Sequence, residues 1–185
     1  MLMSDSAGFP LARSLRSGCA SLGSVFTFMS GLYFRGKLTY AKTFANPPEG
    51  APDVLIITPC SGLLLPEHVI GLEQLKEYAT VDIHESNLRY RAPIERDARQ
   101  IADLIPPESE VIMLGSIATP KYLDILLKAF GTRLRFPVDF VGRGDMSRGG
   151  LLLRSADSMS ELEYIEVSGS VRRGHRPPKL PRPSR

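Results

Sequence analysis

Apolar positions fall along this chain in two kinds of run. Asp53–Cys60 (DVLIITPC) and Glu110–Ile117 (EVIMLGSI) are nearly continuous apolar stretches, the first bounded by Pro52 and Pro59, as expected of strands buried on both faces. Between them, Leu75 and Tyr78 within 72–79, and Ile94, Ala98, Ile101, Leu104 and Ile105 within 94–105, recur at helical spacing. That spacing predicts two helices, each with one apolar face. After the second run, Thr119-Pro120 reads as a helix start, with Thr as cap and Pro in the first turn. Leu123, Leu126, Leu127 and Phe130 continue that helix, and Gly131 stops it. Upstream, Ser24–Leu32 is rich in β-branched and aromatic residues and reads as an apolar loop or strand. It feeds a helix over Tyr33–Phe44 that ends at Asn46-Pro47-Pro48. Leu134–Phe136 is a short strand candidate, and Glu161–Val167 alternates as an edge strand does.

Taken in order, these elements predict an α/β fold with a mainly parallel sheet, in βαβαβ order with further edge elements. One domain over 19–170 accounts for them, preceded by a loosely ordered segment at 1–18 and followed by a basic, Pro-rich tail at 171–185. Ligands of open parallel sheets bind beyond the carboxyl ends of the strands. On this reading the first such loop carries Thr58, Ser61 and Gly62, and the second carries Gly115, Ser116 and Thr119. Both are small and polar, so a ligand can approach backbone amides there.

The third candidate strand leads into Val141–Arg154 (VGRGDMSRGGLLLR), where four glycines and three arginines surround one Asp. Gly142, Gly144, Gly149 and Gly150 permit close backbone approach, while Arg143 and Arg148 suit a bidentate clamp on phosphate or carboxylate. Asp145, Met146 and Ser147 can cap a short helix through Leu153. The spacing matches neither the phosphate-binding loop of nucleotide hydrolases nor a dinucleotide fingerprint. Asp139 and Asp145 flank the loop and are the candidate catalytic carboxylates, placed to position water or to stabilise a cationic sugar. The plainer reading of Asp145 is helix capping, and of the whole segment a solvated, glycine-rich connection.

Charge changes the picture at one end. The net charge of +3 conceals a tail, VRRGHRPPKLPRPSR, that carries six cations and no acid and leaves the rest of the chain with 17 cations against 20 acids. Such a segment cannot build a core and reads as extended, either a phosphate-tracking arm on nucleic acid or a solubilising tail. Pro177–Pro183 (PPKLPRP) also fits an extended peptide for an aromatic groove, the weakest of these readings. Two cysteines, Cys19 and Cys60, are too few for a disulfide framework and favour a reducing compartment, with the cytoplasm as default. No apolar run approaches the roughly 20 residues that span a bilayer, and the start lacks a basic head followed by a continuous apolar region. No structural metal and no cofactor are expected.

Gly31–Phe44 (GLYFRGKLTYAKTF), Ile56–Ile70 (IITPCSGLLLPEHVI), Leu114–Leu127 (LGSIATPKYLDILL) and RFPVDFVGRGDMSRGGLLL together resemble uncharacterised bacterial domains related to YaaA. Those domains are in turn similar to the uracil-DNA-glycosylase-like core of archaeosine synthase. The shared pattern is Leu32-Tyr33 before a helix, Ser61-Gly62-Leu63 after a strand, Tyr122 on the next helix, then Pro137 and Gly142. The resemblance covers about residues 31–153. Relatives begin with a strand bearing Ser-Cys-x-x-Lys, whereas Ser17-Gly18-Cys19-Ala20-Ser21 here lacks the Lys. The family implies a three-layer α/β fold and action on a nucleobase, nucleoside or nucleic acid.

The resulting functional expectation is a nucleotide- or nucleic-acid-directed protein, of the nucleobase N-glycosidase or base-transferase type. Tyr33, Phe34 or Tyr122 would stack on a base, the loops at Thr58–Gly62 and Gly115–Thr119 would hydrogen bond, and Arg143 and Arg148 would take phosphate, with Arg35, Gly142, Gly144 and Ser147 also among the expected ligand-binding residues. The alternative is a noncatalytic DNA- or RNA-binding accessory protein that uses its basic tail.

Overall fold

The structure is a computed structural model that describes residues 2–117, 120–170, 174–175 and 177–178. Helices predominate. They are α1 (Pro10–Arg16), α2 (Leu22–Phe44), α3 (Leu72–Thr80), α4 (Leu88–Leu104), α5 (Pro120–Phe130) and α6 (Asp145–Asp157). The strands are short: β1 (Ala20–Ser21), β2 (Ile56–Ile57), β3 (Leu63–Leu64), β4 (Val69–Ile70), β5 (Val111–Ile112), β6 (Leu134–Pro137) and β7 (Tyr164–Glu166).

The expected three-layer, mainly parallel sheet is not formed. Among the described residues there are three small sheets, with β1 paired to β4 and β2 to β3, both antiparallel, and β5-β6-β7 in a row. Only β5 and β6 run parallel, joined through α5, while β7 adds antiparallel at the edge of β6. The first apolar run fails as a central strand for a local reason. Gly62 adopts φ +74°, a left-handed conformation other residues resist. The chain therefore folds back at once, setting Ile56 opposite Leu64 and Ile57 opposite Leu63.

Other expectations shift by smaller amounts. The 24–32 segment is helical and continuous with the predicted helix that follows it, in a long α2 kinked at Gly31, where φ is 61° and ψ −138°. Ser21 starts α2 by accepting the Ser24 N–H at 3.3 Å. α4 begins at Leu88, six residues before the predicted start, because the Asn87 side chain accepts the Arg89 N–H at 3.1 Å and supplies the cap. Within the segment expected to be loose, α1 buries Ala12 and Leu15 completely.

Two apolar clusters result. One joins α4, α5 and β6 to α2 and α6 through Tyr40, Tyr90, Ile94, Leu123, Leu134, Phe136, Phe140 and Leu152. The other gathers Ala12, Leu15, Leu22, Val25, Ile70, Leu75 and Tyr78 near the N-terminal half. β6 sits at the centre of the larger cluster. Its Leu134 and Phe136 point inward while Arg135 pairs outward with Glu110 at 2.5 Å and Glu166 at 3.8 Å. The most extensive helix packing among the described residues is between α2 and α6, and it positions the polar residues described next.

Candidate functional site

Two glycines bring α2 and α6 into backbone contact. A Cβ on Gly36 would lie 2.7 Å from the Gly149 carbonyl oxygen, and one on Gly149 would lie 2.8 Å from the Tyr33 Cα. Glycine inside a helix costs about 0.5–1 kcal/mol relative to alanine, so its presence on both facing surfaces is a packing requirement. The close approach sets Tyr33 and Lys37, one helical turn apart on α2, beside Asp145 and Arg148 on the first turn of α6.

The crossing lies over the carboxyl end of β5. The Tyr33 hydroxyl donates to the Leu114 carbonyl at 3.2 Å, and the Tyr122 hydroxyl of α5 donates to the Ser116 carbonyl at 3.0 Å. Gly115 lies between them, and a side chain there would run into the Tyr122 hydroxyl. Lys37 Nζ sits 4.1 Å from the centre of the Tyr33 ring, a cation–π contact. Arg148 is almost wholly buried. Its Nε and Nη2 donate to the Phe140 carbonyl at 3.2 and 3.0 Å, and its Nη1 lies 3.6 Å from Asp145 Oδ1.

Burial dominates the electrostatics. It pushes the Tyr33 phenol up to about 12, against an opposing pull from Arg148, and it raises Tyr122 for the same reason. Both hydroxyls stay protonated and remain donors. Burial lowers Lys37, with Asp145 acting to raise it and Arg148 to lower it further. No described carboxylate lies within 4 Å of the Lys37 ammonium, and Asp145 is mostly exposed. Two cations thus face one carboxylate that solvent screens, in a partly desolvated setting that attracts an anion.

The glycine-arginine loop is more structural than its sequence implies. Arg143 donates from Nε to the Asp139 carbonyl at 2.8 Å and from Nη1 to Ser147 Oγ at 3.4 Å. Its guanidinium also lies 3.7 Å from the Asp139 carboxylate, so Asp139 and Arg143 brace the loop. Gly142, at φ +73°, lies against the His175 carbonyl, and Pro178 O accepts from Arg143 at 3.5 Å. Most of the tail, 171–173, 176 and 179–185, lies outside the described residues. The expected side-chain cap on α6 is not made. Gly144 is the N-cap and has no side-chain bond, leaving Asp145 in the first turn, where the helix dipole favours a carboxylate.

The loop after β2 belongs elsewhere. Thr58 Oγ1 donates to the Gly62 carbonyl at 2.8 Å and accepts the Ser61 N–H at 3.0 Å. Asp97 of α4 accepts the Leu63 N–H at 2.8 Å, and its carboxylate fills the space that a Gly62 side chain would need. Among the described residues, the hydrogen bonds of Thr58, Ser61 and Gly62 are made within their own turn, and that turn is tied through Leu63 to α4 rather than to the α2–α6 crossing. Cys60 beside them has its thiol pushed up by burial, with Glu77 adding to the rise, which disfavours a nucleophilic thiolate. Arg35 is exposed on α2, and Thr119 lies outside the described residues. No group of three or more metal-ligating side chains occurs among the described residues.

Of the sequence-derived candidates, the structure therefore gathers Tyr33, Gly115, Ser116, Tyr122, Asp145 and Arg148 at one place and closes Thr58–Gly62 at another. Lys37 and Gly36 were missed. The available signal was Gly36 inside a helical period, since an interior helical glycine marks close packing, with Lys37 next to it. Comparison with family models, curated proteins and solved structures finds no match to this chain. No helix among the described residues is long and apolar enough to cross a membrane.

Proposed function

We propose that the protein is nucleotide-directed and binds a base-bearing anion where α2 and α6 cross over the end of β5. The observation that carries this reading is the facing of Lys37 and Arg148 around two buried phenols, with no ion-pair partner for Lys37 among the described residues. Lys37 holds the anion, Arg148 adds positive potential from a fixed position, and Tyr33 and Tyr122 offer rings beside the Gly115-Ser116 backbone. Two aromatic rings beside the cations support a base-bearing anion over a simple one. N-glycoside cleavage is the reaction that suits the site, with the exposed Asp145 carboxylate holding the water. The cytoplasm, where Cys19 and Cys60 stay free, is the proposed compartment.

Calorimetric titration with nucleoside monophosphates, nucleosides and inorganic phosphate tests the reading. Monophosphates bind more tightly than either part alone, and Lys37→Met weakens them about tenfold, near 1.4 kcal/mol, with no loss of melting temperature. Equal affinity for nucleoside and nucleotide, or full binding by Lys37→Met, removes it.

A further inference from the structure

Gly31 does more than kink α2. A Cβ on Gly23 would lie 3.1 Å from Leu38 Cδ2, although a continuous helix would set positions 23 and 38 about 22 Å apart. The rings of Phe26 and Phe34 meet edge to face with centroids 5.6 Å apart. The two halves of α2, 22–30 and 32–44, therefore lie side by side as a helical hairpin. Gly31, at φ 61° and ψ −138°, makes the turn with a backbone that glycine adopts without steric cost. At the end of that hairpin Phe28 is 43 % and Met29 55 % exposed, with Ser30 and Gly31 exposed beyond them. Phe28 stacks on Phe9, just before α1, at 5.1 Å. Beside it Leu11, Gly23, Ser24, Thr27, Phe28 and Leu38 line a groove of about 360 Å³.

Charge is distributed to match. Within 1–45 five cations stand against the single acid Asp5, whereas 46–170 carries twelve cations against nineteen acids. Arg13 and Arg16 follow Phe9 by four and seven positions, so all three share one side of α1, away from the buried Ala12 and Leu15. Arg13 donates to the Gly8 carbonyl at 2.6 Å and Arg16 to the Ala7 carbonyl at 2.7 Å. Neither of them, nor the exposed Arg35 four residues past the turn, has a carboxylate partner among the described residues.

We infer that the tip of the α2 hairpin docks on an anionic lipid surface, with Phe28 and Met29 entering the headgroup layer and Arg13, Arg16 and Arg35 meeting its negative charge. Shape and charge together choose this occupant. Projecting apolar side chains suit a surface that yields around them, and a basic rim favours an anionic leaflet. The acidic remainder of the chain orients the approach, because only the hairpin side is attracted. A second copy on the same tip would bring these cations face to face, and like-charge repulsion opposes that pairing. Contact is at the surface only, since no described helix is long and apolar enough to cross a bilayer. None of these residues belongs to the cluster at the α2–α6 crossing, so lipid docking and nucleotide binding are separable.

The chain contains no tryptophan, so Met29→Trp places a single fluorescent reporter at the tip. Leu104→Trp, at an exposed position on α4, places one in the acidic part. The full chain is titrated with phosphatidylcholine vesicles with and without phosphatidylserine. The emission of Met29→Trp should move to shorter wavelength only with the serine lipid, and that of Leu104→Trp should stay where it is. In flotation with the same vesicles, Met29→Asp should weaken partition about tenfold, and Arg13→Gln, Arg16→Gln and Arg35→Gln together about a hundredfold. Both proteins should keep their melting temperature and their nucleotide affinity. Vesicle binding that Met29→Asp leaves intact, the result if the basic tail alone made the contact, overturns the docking site. So does an emission shift of Met29→Trp that grows with protein concentration in the absence of lipid, which would put a second copy on the tip.

Discussion

The Thr58–Gly62 turn and the Gly142–Gly150 segment look alike as sequence, each small, polar and glycine-bearing after an apolar run, yet the fold uses them in opposite ways. In the first, each polar group finds a partner nearby. Thr58 closes the turn on both sides, and Asp97 takes the Leu63 N–H. In the second, Gly149 lets α6 approach α2, and the result is a cluster whose charges are poorly matched. A glycine that admits a turn ends in a satisfied structure, whereas a glycine that admits a second helix exposes side chains of both helices to one another. Only the second arrangement leaves hydrogen-bonding and charge capacity for a ligand.

Perturbing these two glycine sites separates them further. The largest expected effect is on the hairpin. Gly62→Ala forces a Cβ into a left-handed φ, at about 1–2 kcal/mol, and displaces Asp97 from the Leu63 N–H, at about 1–3 kcal/mol more. Chemical denaturation should show a loss of about 2–5 kcal/mol, with nucleotide affinity of the remaining folded protein unchanged. Gly149→Ala comes next, losing about 1–3 kcal/mol through overpacking against α2, and here nucleotide binding falls with stability because the crossing opens. A Gly62→Ala protein that loses affinity, or a Gly149→Ala protein that keeps it, would reverse the assignment of roles.

Alkaline pH offers a continuous probe of the crossing. Between about pH 10 and 12 the unfolded chain releases the Tyr33 proton while the folded protein keeps it, so stability falls as pH rises through that window. At about 1.4 kcal/mol per unit, Tyr33 accounts for a loss of about 2–3 kcal/mol. Tyr90, buried in α4, also raised to about 12, adds to the loss. Lys37 acts oppositely: below its ordinary value of 10.5 the unfolded chain binds a proton that the folded protein holds less well. Stability therefore rises with pH from the depressed Lys37 value towards 10.5 before the phenols reverse it. Denaturation midpoints measured against pH should show this rise and fall, and Lys37→Met should remove the rise alone.

The smallest expected effect concerns the tail. Deleting 171–185 removes six cations, so any nucleic-acid affinity should become less salt-dependent in proportion to the number of phosphates those cations neutralise. Monophosphate affinity should stay within about twofold, roughly 0.4 kcal/mol, since the proposed anion contact is Lys37. An unchanged salt slope excludes the tail as a nucleic-acid contact.

Much of the helical structure was legible in the chain. The i, i+3 and i+4 repeats in α3, α4 and α5 fix an apolar face for each, and Gly131 follows the last turn of α5. The strands β5, β6 and the edge strand β7 also fall at the runs 110–117, 134–136 and 161–167, but the sheet they were expected to build was not legible, because a short apolar run such as Val54–Ile57 has no periodicity to separate a central strand from a hairpin arm. What decided it was the backbone of Gly62, five residues beyond Ile57, and the fit of Asp97 from a distant helix. At the site, Tyr33, Tyr122 and Arg148 were readable as chemistry for one ligand, but the helix packing that brings them together was not. Their meeting depends on Gly36 and Gly149, 113 positions apart, and tertiary contacts of that kind leave only an odd interior glycine as a trace. Arg143 and Arg148 were legible as cations, but not as cations already bonded to the carbonyls of Asp139 and Phe140.

The central claim is that the α2–α6 crossing, and not the Thr58–Gly62 turn, receives the ligand. Backbone amide shifts followed by NMR during titration with a nucleoside monophosphate test it most directly. The changes should centre on Tyr33, Lys37, Gly115, Ser116 and Arg148, with Thr58, Ser61 and Gly62 unmoved. Shifts centred on residues 58–62, or none at the crossing at saturating nucleotide, would contradict it.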